Sequence, residues 1–157
     1  MKMVLKRPTG FTALSLFMAC VLLCVLAACQ HNQPTTAELQ RLQGYWEGEI
    51  LGGGVKCSIT ITGNSLHFYS RPDFWYLTTF TLPVDTDPKQ LRTTIKGTAP
   101  EATNDIGKVI VAIFKIEEGT LTLAVNQDPD GPPPKTFPNE TNSVIARYDL
   151  KKPQLKK

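Results

Sequence analysis

The sequence predicts an all-β fold: an antiparallel up-and-down meander of about eight strands closing into a small barrel, preceded by a short helix. Three observations predict it. Across residues 44–150, apolar side chains recur at every second position in short runs, the period of a half-buried strand. The runs are separated by turn chemistry: Gly52-Gly53-Gly54, Gly63-Asn64, Arg71-Pro72-Asp73 and Glu117-Glu118-Gly119. Nothing in that span carries the 3.6-residue period of a long amphipathic helix. Short strands on tight turns pair with their chain neighbours, and closing the sheet removes its exposed edges.

In chain order, Thr36 is placed as an N-cap, with Glu38 near the start of a helical stretch through Gln43. Leu39 and Leu42 stand three apart and would cap the apolar end of the domain. Strands are expected at 45–51, 55–62, 65–70, 74–82, 91–96, 108–116, 120–125 and 143–150. Parity puts Trp46 with Ile50 on one face, and likewise Leu66 with Phe68, Leu91 with Ile95, and Leu121 with Leu123 and Val125. A barrel of this size holds packed side chains or one small ligand. These interior residues are large, so much of the lumen is expected to be filled.

Residues 109–114 are apolar on both faces, so one face needs a cover: the Leu39/Leu42 helix, another chain or a ligand. Cys57 shares parity with Val55, Ile59 and Ile61 and reads as a small core hydrophobe, since nothing polar stands there to ionise a thiol. In Phe74-Trp75-Tyr76, Trp75 faces opposite to its neighbours, so one side is core and the other a rim or contact surface. The segment 127–142 carries Pro129, Pro132, Pro133, Pro134 and Pro138 with Phe137 among them. Prolines fix φ and give no ladder donors, so a stiff, extended loop is expected, with few ties to the core.

The first thirty residues have another layout. Lys2, Lys6 and Arg7 form a basic start, an apolar run covers 11–26, and no charge follows until Glu38. The run is short of the roughly 20 residues that span a bilayer. It ends in Leu26-Ala27-Ala28-Cys29, and Gln30-His31-Asn32-Gln33 turns polar at once. This resembles the lipobox of bacterial lipoproteins. The resemblance implies a signal peptide over 1–28, cleavage before Cys29, diacylglycerol on its thiol and acylation (commonly palmitate) of its new amino group. Residues 29–35 would then be lipidated cysteine and tether, 36–150 the barrel domain, and 151–157 a basic tail. Gln30 rather than Asp in the second mature position points to the outer membrane, facing the periplasm, in a cell with two membranes. The expected partner is thus a membrane, through the lipid on Cys29.

Cleavage leaves 129 of 157 residues, a comfortable size for one domain. The leader takes three of the seventeen basic residues and none of the fourteen acidic ones, so the mature chain is formally neutral. Nucleic acid is therefore not an expected partner. With Cys29 lipidated only Cys57 remains, and no intramolecular disulfide can form.

The domain itself resembles a lipocalin-like family of unknown function found on secreted or lipid-anchored bacterial proteins. The matching pieces are Leu42-Gln43-Gly44-Tyr45-Trp46, Asp87-Pro88-Lys89, and Val111-Ala112-Ile113-Phe114-Lys115-Ile116 before Leu121-Thr122-Leu123, followed by Pro134, Phe137 and Pro138 and a last strand near Arg147. Gly44-x-Trp46 is similar to the lipocalin opening signature. The resemblance implies that Trp46 plugs the closed end of the barrel, with Arg147 packed over its ring as a cation–π contact. The family's usual isoleucine–aspartate pair is replaced by Leu91-Arg92, and its arginine before the Pro-Thr-Phe segment by Pro133 and Pro134.

Catalytic chemistry is hard to find. His31 lies in the tether and His67 on the outward parity of its strand, and no zinc-like spacing of ligands occurs. Glu47 and Glu49 alternate onto the solvent face. Asp128-Pro129-Asp130-Gly131 lacks the remaining ligands of a calcium loop. No nucleophile–base pair stands out, so no enzyme, metal or cofactor is expected. The sequence points to a noncatalytic envelope module that binds a small hydrophobic ligand or an envelope protein, with Trp75, Tyr76, Pro133 and Phe137 as contact residues. The alternative is an inhibitor that presents the proline loop to an envelope hydrolase.

Overall fold

The computed structural model describes residues 36–139, 141–142 and 144–154. The leader, Cys29, His31 and the tether lie outside the described residues, as do Lys156 and Lys157.

The chain forms one helix, α1 (Thr36–Leu42), and eight strands: β1 (Gly44–Ile50), β2 (Val55–Thr62), β3 (Ser65–Arg71), β4 (Phe74–Thr81), β5 (Gln90–Thr98), β6 (Val109–Glu117), β7 (Thr120–Asn126) and β8 (Ile145–Lys151). A 3-10 turn, Pro100–Asp105, joins β5 to β6. Every strand pairs antiparallel with its neighbours in the chain, and β8 returns to β1, so the sheet is a closed barrel of consecutive strands. All of its ladders lie within residues 44–151, so the domain from α1 onward carries every described element of the fold.

The alternation read from the sequence is the alternation of burial. In β2, Cys57, Ile59 and Ile61 are buried; in β3, Leu66 and Phe68; in β4, Thr78 and Phe80. The closing ladder needs one glycine. A Cβ on Gly48 would stand 2.2 Å from the carbonyl oxygen of Asp149. Gly48 thereby lets β1 bend against β8 and also pair with Cys57 of β2.

The cover over β6 differs from the three expected ones. Ile113 and Ala124 are fully buried although they sit on the outward parity of their strands and pair with each other. The proline segment crosses this face. Arg147 Nη1 donates to the Pro138 carbonyl at 2.8 Å, Phe137 lies beneath Lys115, and Pro134 is buried. Asp130 makes a double contact with β6, donating its N–H to the Val109 carbonyl and accepting the Val109 N–H, both at 3.0 Å. The loop is therefore part of the packed structure, against the expectation of few ties. Its polyproline stiffness makes it a strap, and the outward apolar residues of β6 and β7 give it a surface to bury.

Candidate functional site

The two ends of the barrel are built differently. At the closed end, Leu42, Trp46, Ile61, Phe80, Leu121 and Leu150 are all buried. The Trp46 indole Nε1 donates to the Leu42 carbonyl at 2.8 Å, which ties the end of α1 to the ring. Gln43 bridges from α1 to the turn after β2: its amide donates to the Leu39 and Gly63 carbonyls and its oxygen accepts the Gly63 N–H. Arg41 donates to the Ile116 carbonyl, and Lys89 pairs with Glu38. These contacts hold α1 across the bottom of the barrel.

Lys152, not Arg147, takes the cation position over Trp46. Its Nζ lies 4.7 Å from the ring centroid. Arg147 alternates outward, where it pairs with Asp149 at 3.2 Å and holds the proline strap. The signal for Lys152 is present in the sequence. Ala146, Tyr148 and Leu150 are the inward positions of β8, and Lys152 continues their parity beyond the strand. The barrel also extends through Lys151, one residue past the expected boundary.

At the open end the lumen is not filled. A cavity of about 270 Å³ remains, walled by Phe68, Phe74, Tyr76, Leu123, Ala146 and Tyr148 among others. Phe68 packs edge-to-face on both Phe74 and Tyr148, with centroids 5.6 and 5.7 Å apart, and Phe74 does the same on Tyr76 at 5.7 Å. Aromatic edges against faces are the preferred geometry, so the cluster is a stiff wall. Tyr148 joins the expected residues as a lining group, and its parity with Leu150 is the sequence signal that points it inward.

The wall is apolar for a specific reason. Two threonines line it, but Thr78 Oγ1 donates to the Leu66 carbonyl at 3.1 Å and Thr93 Oγ1 to the Ile110 carbonyl at 3.0 Å. Their hydroxyl hydrogens are spent on the barrel's own backbone. The polar groups stand at the rim. Tyr76 donates its hydroxyl to Asp105 at 3.3 Å, and Asp105 also accepts from Lys108 at 2.8 Å. Burial pushes the Tyr76 hydroxyl above its ordinary range, and the charge and hydrogen bond of Asp105 push the same way. The Tyr148 hydroxyl is raised to about 12, chiefly by burial and then by Cys57 and Tyr76 nearby. Burial lifts Cys57 to about 11, with the Glu49 charge adding to it. Both stay protonated at neutral pH. Gln127 and Pro129, at the root of the proline strap, complete the mouth.

The four expected contact residues therefore occupy three places. Tyr76 lines the lumen. Trp75 stands on the outer wall, where its ring lies 6.1 Å from His67. Phe137 and the exposed Pro133 belong to the strap over β6–β8. A second, wider concavity of about 950 Å³ runs outside β1, but it is an open groove of mixed charge containing Glu47, Glu49, Lys56 and Lys151. Among the described residues, no three His, Cys, Asp or Glu side chains gather into a group that could hold a metal.

No family model, no curated protein and no solved structure matches this chain.

Proposed function

We propose that the protein is a lipid-anchored, noncatalytic binding module outside the cytoplasm, and that its barrel takes one small apolar molecule in the open half. The observation that carries this reading is the cavity of about 270 Å³, apolar because its threonine hydroxyls are turned onto backbone carbonyls. Pockets for drug-sized ligands run from roughly 300 to 1,000 Å³. This lumen therefore suits a molecule near or below the small end of that range, such as a single ring system or a short acyl chain. Two tyrosine hydroxyls, on Tyr76 and Tyr148, offer side-chain polarity along the aromatic wall and would orient one polar atom of the guest. The lipobox-like Leu26-Ala27-Ala28-Cys29 supports the anchor.

Native mass spectrometry of the domain from Gln30 onward, before and after denaturation, tests the cavity reading. A small mass released on denaturation is expected, and Ala146→Phe, which extends a side chain from the lumen wall, should reduce it. Equal masses under both conditions, together with no uptake of a fluorescent apolar probe, would refute it. The anchor is tested separately: Cys29→Ser should abolish lipid labelling and leave unprocessed precursor. Labelling that persists in that variant would move the lipidated residue elsewhere.

A further inference from the structure

One wall of the barrel is left uncovered. The proline strap covers the outside of β6–β8, but among the described residues nothing covers the outside of β2–β5. On it, Tyr69 and Leu77 are 41% and 42% exposed, and Tyr45 of the neighbouring strand is 44% exposed. Trp75 lies among them. Its indole lies beside Gly97, at ordinary contact distance, 3.7 Å, from where a Cβ would stand. His67 packs edge-on against both Tyr69 and Trp75, at 6.5 and 6.1 Å, so the rings form one patch. Cross-strand register joins the row Tyr45, Thr60, His67 and Leu77.

Within β2–β5 the charges have one sign, while the adjoining β1 carries Glu47 and Glu49 on its outer face, Glu49 in register with Lys56. The outward positions of β2–β5 carry Lys56, Arg92 and Lys96, all exposed, and not one Asp or Glu. None of these three cations makes a salt bridge among the described residues, whereas Lys89, Lys108, Lys115 and Arg147 all do.

We infer that this wall docks the barrel on an anionic lipid surface. Tryptophan and tyrosine have an apolar body and a wettable tip and settle at the headgroup level of a bilayer, while basic residues beside them are drawn to anionic lipid. A closed barrel has no free strand edge on which a peptide could add. The inference rests on the anchor reading for proximity: with lipid on Cys29, the six residues 30–35 reach only about 20 Å. The wall is then never far from headgroups. Docking by the wall would lay the barrel on its side, with its mouth at the membrane surface and not pointing away from it.

The test uses the full mature lipoprotein in vesicles whose acyl chains are brominated, because bromine quenches tryptophan at short range. Trp46 is enclosed at the barrel's closed end, and a Trp75→Phe control supplies its contribution. Trp75 should be quenched where about a third of the lipid is phosphatidylglycerol, not in pure phosphatidylcholine, and the quenching should fade as salt rises from about 0.1 to about 1 M. Combining Lys56→Gln, Arg92→Gln and Lys96→Gln, all at exposed positions, should lower the ratio of docked to undocked barrel on the order of 100-fold. Quenching that is equal in neutral and anionic vesicles, absent from both, or unchanged in the triple variant overturns the inference. So does capture of the wall by an anionic polysaccharide or protein while Trp75 stays unquenched by lipid. Failure to float with neutral vesicles sinks the anchor reading alone, and docking is then read from flotation with anionic ones.

Discussion

The ammonium of Lys152 stands 4.7 Å from the centroid of the Trp46 ring, so the end of the chain seals the barrel floor that Leu42 seals from its beginning. The two contacts differ in kind. The indole is 2% exposed and its body is core, whereas the ammonium lies on the ring's outer face. Trp46→Ala should therefore cost about 3–5 kcal/mol, the range for removing a buried large aromatic. Lys152→Ala should cost about 0.5–1 kcal/mol, that of an exposed cation–π pair. Trp75→Ala, on the outer wall, should cost less than Trp46→Ala. Urea denaturation midpoints decide this, and equal losses at Trp46 and Trp75 would contradict the placement of the two rings.

Gly48 is the tightest point of barrel closure. The methyl group of an alanine at this position would meet the Asp149 carbonyl oxygen at 2.2 Å, with backbone all along the contact and nothing flexible to yield. Gly48→Ala should destabilise by about 2 kcal/mol or more, through strain in the β1–β8 ladder. Gly53→Ala is the control, because its nearest neighbour would stand at 3.8 Å. It should stay within about 0.5 kcal/mol of the parent. Similar melting temperatures for the two variants would mean that β1 and β8 can slide apart cheaply.

The proline strap should be needed for stability. Replacing 128–138 with a short Gly/Ser bridge removes Pro134 and Phe137 and uncovers Ile113 and Ala124, both fully buried beneath the intact strap. Exposing one large aliphatic side chain alone costs about 1.5–3 kcal/mol. The excised protein should unfold at clearly lower denaturant, and Ile113→Thr in the excised background should recover solubility but not stability. An unchanged midpoint would show the strap to be dispensable after all.

Alkaline pH should weaken the fold. Cys57 and Tyr148 are both raised by burial, to about 11 and about 12 from ordinary values of 9.0 and 10.0. For such groups the folded state holds its proton longer than the unfolded chain. Their contribution is complete below the unfolded values, so stability should be flat up to about pH 9 on this account and fall as pH rises toward 12. Tyr148→Phe should flatten the upper part of that fall and Cys57→Ala the lower part. Thermal melting from pH 7 to 11 reads both, and a stability that rises over that range would reverse the assignment.

Much of this architecture is legible residue by residue. Alternation in 55–62, 65–70 and 120–125 is a local property, set by which side chains can face a core and which can face water, and it marks strand positions and inner faces together. The same parity puts Cys57 inside and His67 outside. Carried two residues past Leu150, it names Lys152 in place of Arg147.

What the sequence by itself determined is the period, and with it the barrel, its inward residues and the fact that β6 needed a cover. What only the tertiary structure decided is which element supplied that cover, where the lumen stayed empty, and which outer wall was left bare. These depend on the register of closure, seen where Glu47 pairs with Lys151, and on where a stiff loop lands after β7. Side-chain volumes can be summed from a sequence, but the space between them cannot. The cavity beside Phe68, Ala112 and Ala146 exists because small residues on β6 and β8 face the same height of the lumen, a coincidence made only when all eight strands close.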